Sequence, residues 1–364
     1  MPSTSKNNRL QYLDWLRGVA ALIMLQGHAF HSFLKPELRN DGPYVFSQFL
    51  GGMPPAIFLF LTGITLAFLM DSRERQGLPG WRRVWSAVRR SGYLLGIAFL
   101  FRLQLWLFAW PNSPWTDLFR VDILNCMGFA ITLLATMALF RTAERVRLCA
   151  VLGLAIAAAS PLASQFDWSG VHPVVKSYLA PDYNFFGFFP WAAYLAFGMS
   201  FGSLLRVLKA EQLDRAMLWI GLLGGVLIMT AQYFANLPYS LYPKSEYWLN
   251  SPAQVLTKQG VILLALPFAY LWTRYGASQG WSWIRQFGTT SLLVYWVHIE
   301  LVYGRWLWFM KSNLNVAQTV VAAAALILLM LLLSVVKTYR NQWPAILAGW
   351  RWYFVTPPDR VSGD

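Results

Sequence analysis

Long apolar runs alternate with short polar segments along almost the whole chain. A helix that crosses a bilayer needs about 20 mostly apolar residues, and ten runs of roughly that length are present. They lie near residues 12–34, 46–70, 88–110, 119–140, 146–163, 185–205, 216–236, 258–274, 289–309 and 316–336. The pattern predicts an all-α, polytopic membrane helix bundle with about ten transmembrane helices, folded as a single domain over residues 1–364.

The distribution of positive charge predicts the orientation of this bundle. With the N-terminus placed in the cytoplasm, 20 Lys and Arg fall in inner segments and 8 in outer segments. Because Lys and Arg concentrate in cytoplasmic loops, we expect both termini, residues 1–11 and 337–364, to be cytoplasmic.

The amino-acid composition agrees with a lipid environment and argues against nucleic acid as a partner. Hydrophobic residues make up 57% of the chain and charged residues 13%, which excludes an ordinary soluble protein. The net charge of +14 could suggest nucleic acid, but the basic residues are scattered through short loops instead of forming one basic face. The expected partner is therefore the lipid bilayer, with no nucleic acid, and a homo-oligomer is left open.

The first predicted span carries an unusual stripe of ionisable residues. At 100° per residue, Asp14, Arg17, His28 and His31 fall on one side of a helix, and Arg17 and His28 are roughly 16 Å apart along its axis. Ionisable residues inside a membrane are costly and suggest function. The structural alternative is an Asp14–Arg17 pair that ends the span at the interface, and a histidine at position 28 that hydrogen-bonds a neighbouring helix.

Three further spans carry polar groups of the same kind. They contain Arg102, the pair Asp122 and Asn125, and the pair His298 and Glu300. Arg102 could be neutralised by Asp122 or Glu300 as a structural pair. His298 is the other histidine predicted near mid-membrane, and an imidazole can exchange a proton near neutral pH. It is therefore a second candidate for proton transfer.

Small and helix-breaking residues predict local packing in the second span. Gly51, Gly52, Pro54 and Pro55 should break or kink its start, and Gly63 should allow a neighbouring helix to approach closely. The six arginines within residues 73–90 could meet phosphates of a nucleotide-bearing donor, or only enforce orientation and contact anionic lipid.

Several catalytic motifs are missing from the sequence. It has no Walker loop, no zinc-spaced Cys/His cluster and no Gly-x-Ser-x-Gly elbow. Nucleotide hydrolysis and serine esterase chemistry are therefore disfavoured, and no metal is expected.

Six segments together resemble membrane acyltransferases, with Arg17, ten residues and then His28 as the best-defined feature. They are LDWLRG at 13–18, FLFLTG at 58–63, FLFRLQ at 99–104, VDILN at 121–125, FFPW at 188–191 and YWVH at 295–298. The set is similar to the bacterial relatives of heparan-alpha-glucosaminide N-acetyltransferase, and a histidine at position 28 is typical of the acyltransferase-3 family.

This resemblance implies transfer of an acyl group, usually acetyl from acetyl-CoA, to a carbohydrate on the far side of the membrane. Acyl-CoA would be a donor substrate, the acceptor would be a sugar or glycan, and the protein would reside in the inner membrane of a bacterium. The expected site residues fall into three groups: catalytic His28, His298 and Asp14; donor-binding Arg17 and Arg102; and supporting His31, Asp122, Asn125 and Glu300. The alternative from another class is a transporter of a sugar, lipid-linked glycan or small anion that uses the same polar path.

Overall fold

The computed structural model of the chain describes residues 10–276 and 280–340, which contain helices, turns and loops but no β-strand. Their thirteen α-helices are α1 Gln11–Phe33, α2 Gly42–Gly51, α3 Pro54–Arg75, α4 Gly80–Ala109, α5 Ile123–Leu134, α6 Thr142–Gln165, α7 Pro173–Leu179, α8 Phe188–Val207, α9 Leu213–Ala235, α10 Pro252–Leu271, α11 Trp283–Thr289, α12 Ser291–Tyr303 and α13 Val316–Tyr339. The predicted all-helical fold is confirmed. The predicted cytoplasmic segments 1–11 and 337–364 lie largely outside the described residues.

Seven helical segments of the described chain are long and apolar enough to cross a membrane. They are Gly42–Arg75, Gly80–Ala109, Thr142–Gln165, Phe188–Val207, Ala210–Ala235, Pro252–Gly276 and Val316–Tyr339. The other three predicted spans coincide with α1 and with the segments Ile123–Leu139 and Ser291–Tyr303. Helix α1 is long enough to cross a membrane but less apolar than the seven segments, and the other two are apolar but shorter. Integral membrane character is therefore confirmed, whereas the count of about ten and the orientation stay predictions.

Three predicted helix boundaries differ from the structure by six residues or more. Helix α4 begins at Gly80 instead of residue 88, because the arginine-rich segment before the apolar run continues the helix. Helix α10 begins at Pro252 instead of residue 258, where the hydroxyl of Ser251 accepts a hydrogen bond from the Ala253 N–H at 3.2 Å. Helix α12 ends at Tyr303 instead of residue 309.

Packing around the second predicted span agrees with what its small and helix-breaking residues predict. Helix α2 ends at Gly51 and α3 begins at Pro54, so the predicted break is confirmed. A β-carbon on Gly63 would overlap the Leu195 carbonyl oxygen, and one on Gly198 would overlap the Phe60 carbonyl oxygen. Helices α3 and α8 therefore pack backbone against backbone, which is the close approach predicted at Gly63.

Helix α1 lies at the centre of the bundle and brings its polar stripe into the protein interior. It packs against α2, α3, α10, α11, α12 and α13. Close contact with α11 needs glycine on both sides: a β-carbon on Gly18 would overlap the Ile284 carbonyl oxygen, and one on Gly288 would overlap the Asp14 carbonyl oxygen. This contact places the residues just before α12 beside the Asp14–Arg17 part of α1.

Candidate active site

A cavity of about 750 Å³ runs along the polar stripe of α1, within the size range of small-molecule sites. Arg17, Arg90 and Lys337 line one part of it, which we name the Arg17 end, and Arg120 and Asn184 line another part, which we name the Arg120 end. The two ends are well separated, because Arg102 lies roughly 18 Å along α4 from Arg90 and is paired with Asp122, close to Arg120.

A pair of histidines lies between these ends. The Nδ1 atom of His28 is 2.9 Å from Nε2 of His298, and the two rings are stacked at 12° with their centroids 5.2 Å apart. His28 is half-buried and lines the cavity, whereas His298 is 0% exposed and does not line it. The two mid-membrane histidines singled out in the sequence therefore meet, with His28 facing the cavity and His298 behind it.

The hydrogen bonds of this pair define which nitrogen atoms carry protons. Nδ1 of His298 is 2.7 Å from the Val294 carbonyl oxygen, which can only accept, so this nitrogen donates. In a neutral His298 the Nε2 atom is then an acceptor, and Nδ1 of His28 must donate to it. A neutral His28 is thereby left with an unprotonated Nε2. This nitrogen has no hydrogen bond within residues 10–276 and 280–340, which leaves it available as a base.

Two tyrosines from α12 complete the surroundings of His28. The ring of Tyr303 lies edge-on to His28 with centroids 5.5 Å apart, and its hydroxyl is 3.1 Å from Nδ1 of His31. Tyr295 packs edge-on against His298 with centroids 5.8 Å apart and lines the cavity. The Tyr295 hydroxyl has no hydrogen bond in the described part of the chain, so it can bind a ligand.

The Arg17 end collects positive charge. Nη1 of Arg17 is 2.8 Å from Oδ1 of Asp14, so the i, i+3 ion pair considered in the sequence is present. Asp14 itself is buried and is not among the cavity-lining residues. The first residues of α12 also line this end, and α12 has no side-chain cap at its N-terminus. Unsatisfied N–H groups at a helix N-terminus attract anions, as do Arg90 and Lys337.

The predicted Arg102, Asp122 and Asn125 form one structural group. Nε of Arg102 is 3.0 Å from Asp122 Oδ2, and Asp122 Oδ1 accepts from the N–H groups of Leu124 and Asn125 at 3.1 and 3.3 Å. The Asn125 amide donates to the Tyr178 hydroxyl at 3.2 Å. Asp122 thus caps α5 while it neutralises Arg102. Of the two pairings considered for Arg102, the one with Asp122 is present.

Glu300 lies apart from this site. Its Oε1 accepts from the indole N–H of Trp306 at 3.2 Å, and it does not line the cavity. Among residues 10–276 and 280–340 no three His, Cys, Asp or Glu side chains cluster as metal ligands.

Five residues that line the cavity were not among the individual site residues predicted from the sequence. They are Arg90, Arg120, Tyr295, Tyr303 and Lys337. A signal for one of them was present, because Tyr295 precedes His298 by three residues and therefore lies on the same helix face. Arg120 and Lys337 had been counted only as charges that set the orientation, whereas Arg90 belongs to the segment 73–90, whose arginines were considered as possible phosphate ligands.

A bundle of membrane helices around a cavity that holds a base and positive charge fits a membrane-embedded transferase. A family model described as an acyltransferase domain matches residues 10–339, nearly the whole chain. The chain therefore belongs to the acyltransferase-3 family of membrane acyltransferases. No curated relative matches the chain. The narrower resemblance to bacterial relatives of heparan-alpha-glucosaminide N-acetyltransferase stays a prediction.

Proposed function

We propose that the protein transfers an acyl group, acetyl in the first instance, from acyl-CoA to an extracytoplasmic sugar or glycan. The observation that carries this proposal is the His28 imidazole, whose Nε2 atom has no hydrogen bond in the described residues and which lines the cavity between two cationic ends. The donor would enter at the Arg17 end from the cytoplasm. The acceptor would enter at the Arg120 end from the other side of a bacterial inner membrane.

The donor assignment rests on charge and length. Acyl-CoA carries its phosphates at one end and its thioester at the end of an extended arm. Arg17, Arg90 and Lys337 supply charge for the phosphates, and the roughly 16 Å between Arg17 and His28 along α1 gives the arm room to reach the base. Arg102, which the sequence assigned to the donor, lies farther along α4 and already neutralises Asp122. We assign it to shaping the cavity near the histidines.

The chemistry follows from the protonation state of the histidine pair. Nε2 of His28 takes the proton from the acceptor hydroxyl or amine while that oxygen or nitrogen attacks the thioester carbonyl carbon. The carbon–sulfur bond then breaks, and the departing thiolate takes the proton from His28. His298 accepts the hydrogen bond from Nδ1–H of His28, which keeps the reactive nitrogen turned to the cavity and stabilises the imidazolium. The Tyr295 hydroxyl can donate to the developing oxyanion.

A second route uses the same atoms in two steps. Nε2 of His28 attacks the thioester carbonyl carbon, the thiolate leaves, and the acceptor then displaces the acyl-histidine. A burst of free CoA in the absence of acceptor would indicate this route, whereas a requirement for acceptor before any CoA appears would indicate direct transfer.

The transporter alternative makes different predictions for the purified protein. An acyltransferase should be stabilised by acyl-CoA, by about 2.7 kcal/mol at a concentration 100 times the dissociation constant. It should also release CoA in the presence of a carbohydrate acceptor. Transport of a sugar into proteoliposomes without stabilisation by acyl-CoA would instead support a transporter.

The decisive variant is His28→Ala, with His172→Ala as its matched control. Removal of a positioned general base lowers the rate by about 10²- to 10⁴-fold, whereas one interhelical hydrogen bond contributes only about 0.6 kcal/mol to stability. We therefore expect His28→Ala to fold, bind donor and lose transfer. His172 caps the short helix α7 away from the cavity, so its replacement should leave the rate unchanged. Near wild-type turnover in His28→Ala would refute the mechanism.

A further inference from the structure

Two cationic side chains near the Arg120 end have no carboxylate partner in the described residues. The guanidinium of Arg120 lies over the ring of Phe185 at 5.9 Å, and Nζ of Lys258 lies over the ring of Trp191 at 5.3 Å. Neither side chain makes a hydrogen bond or ion pair within residues 10–276 and 280–340. The N–H donors of Arg120, which lines the cavity, are therefore available to a ligand, and Lys258 adds a positive charge nearby.

Lys258 is the more informative of the two because it lies inside a membrane-spanning segment. It is six residues from the start of α10, roughly 9 Å along the helix. Its ammonium faces the bundle interior, since Nζ lies 3.7 Å from the position a β-carbon would take on Gly52, at the break between α2 and α3. An ionisable residue in a membrane helix normally pairs with another group or marks a binding path.

Aromatic side chains lie between the two cations and the cavity. Phe186, which follows the Phe185 ring beneath Arg120, lines the cavity and packs against Trp191 with ring centroids 5.0 Å apart. Trp191 in turn lies beneath Lys258. On the other side of Lys258, Gly51 of the α2–α3 break lines the same cavity. Arg120 therefore lines the cavity at this end, whereas Lys258 does not line it and lies next to it, between Trp191 and Gly52.

No side chain of the described residues is placed to neutralise these cations. Asp122 is the carboxylate that lines the cavity in that part of the chain, and its oxygens are engaged by Arg102 and by the N-terminus of α5. A ligand at this end must supply the missing negative charge. Aromatic rings beside cationic groups fit a sugar ring that bears an acidic substituent, because the rings cover its apolar face while the cations bind the anion.

We propose that Arg120 and Lys258 select the acceptor, and that this acceptor is an acidic sugar, one that carries a carboxylate or a phosphate. The proposal rests on the proposed acyl transfer and names the substrate class of the same site. Arg120 would bind the anion at the mouth of the cavity. Lys258, next to this part of the cavity, would add positive charge that attracts the anion, and the hydroxyl or amine to be acylated would be directed towards Nε2 of His28.

The test compares glucose, glucuronate and glucose 6-phosphate as acceptors for the full-length protein in neutral detergent. Release of CoA from acetyl-CoA measures transfer, and protection against heat measures binding without any need for transfer. We expect the two acidic sugars to protect and to react with a lower KM than glucose. Arg120→Gln and Lys258→Met should each raise the KM for the acidic sugars by about 10- to 100-fold, with little change for glucose, while Lys258→Arg should retain the preference.

The matched control is Lys244→Met, which removes one positive charge from an exposed position in the segment before α10. It should leave the preference for acidic sugars unchanged. Equal protection by all three sugars, or protection by none, overturns the proposal even if acyl transfer is observed. Protection by phosphatidylglycerol but not by the sugars, lost in both variants, would overturn it in favour of a lipid headgroup. Failure of acetyl-CoA to bind would instead count against the proposed function.

Discussion

Replacement of His298 tests the functional site most directly, because this residue is argued to act only through His28. Its imidazole is 0% exposed, and its Nε2 is 2.9 Å from Nδ1 of His28. His298→Leu removes the acceptor and lets the His28 ring rotate or adopt the other tautomer. His298→Gln places an amide oxygen near the position of Nε2, which can still accept from His28 but cannot take up a proton.

The expected loss of kcat in His298→Leu follows from the hydrogen bond between His28 and His298 that this variant lacks. During transfer His28 becomes positively charged, and a hydrogen bond to a charged group contributes about 1.5 to 3 kcal/mol. At 1.36 kcal/mol per tenfold change in rate, kcat in His298→Leu should fall by about 10- to 150-fold. This loss is smaller than the loss expected for His28→Ala, since the base itself remains.

The assay follows thiol release from acetyl-CoA as a function of donor and acceptor concentration. We expect the effect to fall on kcat, with both KM values little changed, because His298 does not line the cavity. The glutamine variant should recover part of the rate lost in the leucine variant.

Two outcomes would refute this reasoning. Wild-type kcat in a folded His298→Leu protein would show that His28 needs no partner. Equal losses in the leucine and glutamine variants, with equal melting temperatures, would show that acceptance of the His28 hydrogen bond is not what His298 contributes.

Further predictions concern donor binding, topology and packing. Arg17→Ala should weaken acetyl-CoA binding about tenfold or more in calorimetric titration, and unchanged affinity in a folded variant would contradict the donor role. A cysteine at Ser86 should resist an impermeant maleimide in intact cells while one at Ser169 reacts; the opposite pattern would invert the predicted orientation. Gly198→Ala should lower stability by about 1 to 3 kcal/mol because a β-carbon would overlap the Phe60 carbonyl oxygen, whereas Gly225→Ala has open space and should melt like the wild type.

The elements that follow from local rules could be predicted from the sequence. Apolar runs of sufficient length become helices in a bilayer because the backbone must satisfy its own hydrogen bonds there. The stripe from Asp14 to His28 faces the interior because helix geometry places these residues on one side, and His31 continues it at an exposed position. The break after Gly51 and the close packing at Gly63 follow from residue size and the geometry of proline. These features depend on sequence neighbours alone.

The features that could not be predicted from the sequence depend on contacts between distant parts of the chain. Nothing in the sequence specifies that His298 meets His28, 270 positions away, or that Arg102 pairs with Asp122 and not with Glu300. Arg145 shows the same difficulty. It lies between the predicted spans 119–140 and 146–163, where a polar loop is expected. In the structure it is fully buried and donates to the Phe140 carbonyl oxygen at 2.7 Å.

The charge on the cavity wall has a consequence for the membrane itself. A cavity that runs through much of a helix bundle and is lined by charged side chains is a potential leak for protons and metal cations, which a living membrane must hold back. Arg17, Arg90 and Lys337 near one end and Arg120 near the other give this cavity a positive potential, and fixed positive charge repels protons and cations from a pore. The side chains that would attract anionic substrates would thus also preserve the electrochemical gradient across the membrane.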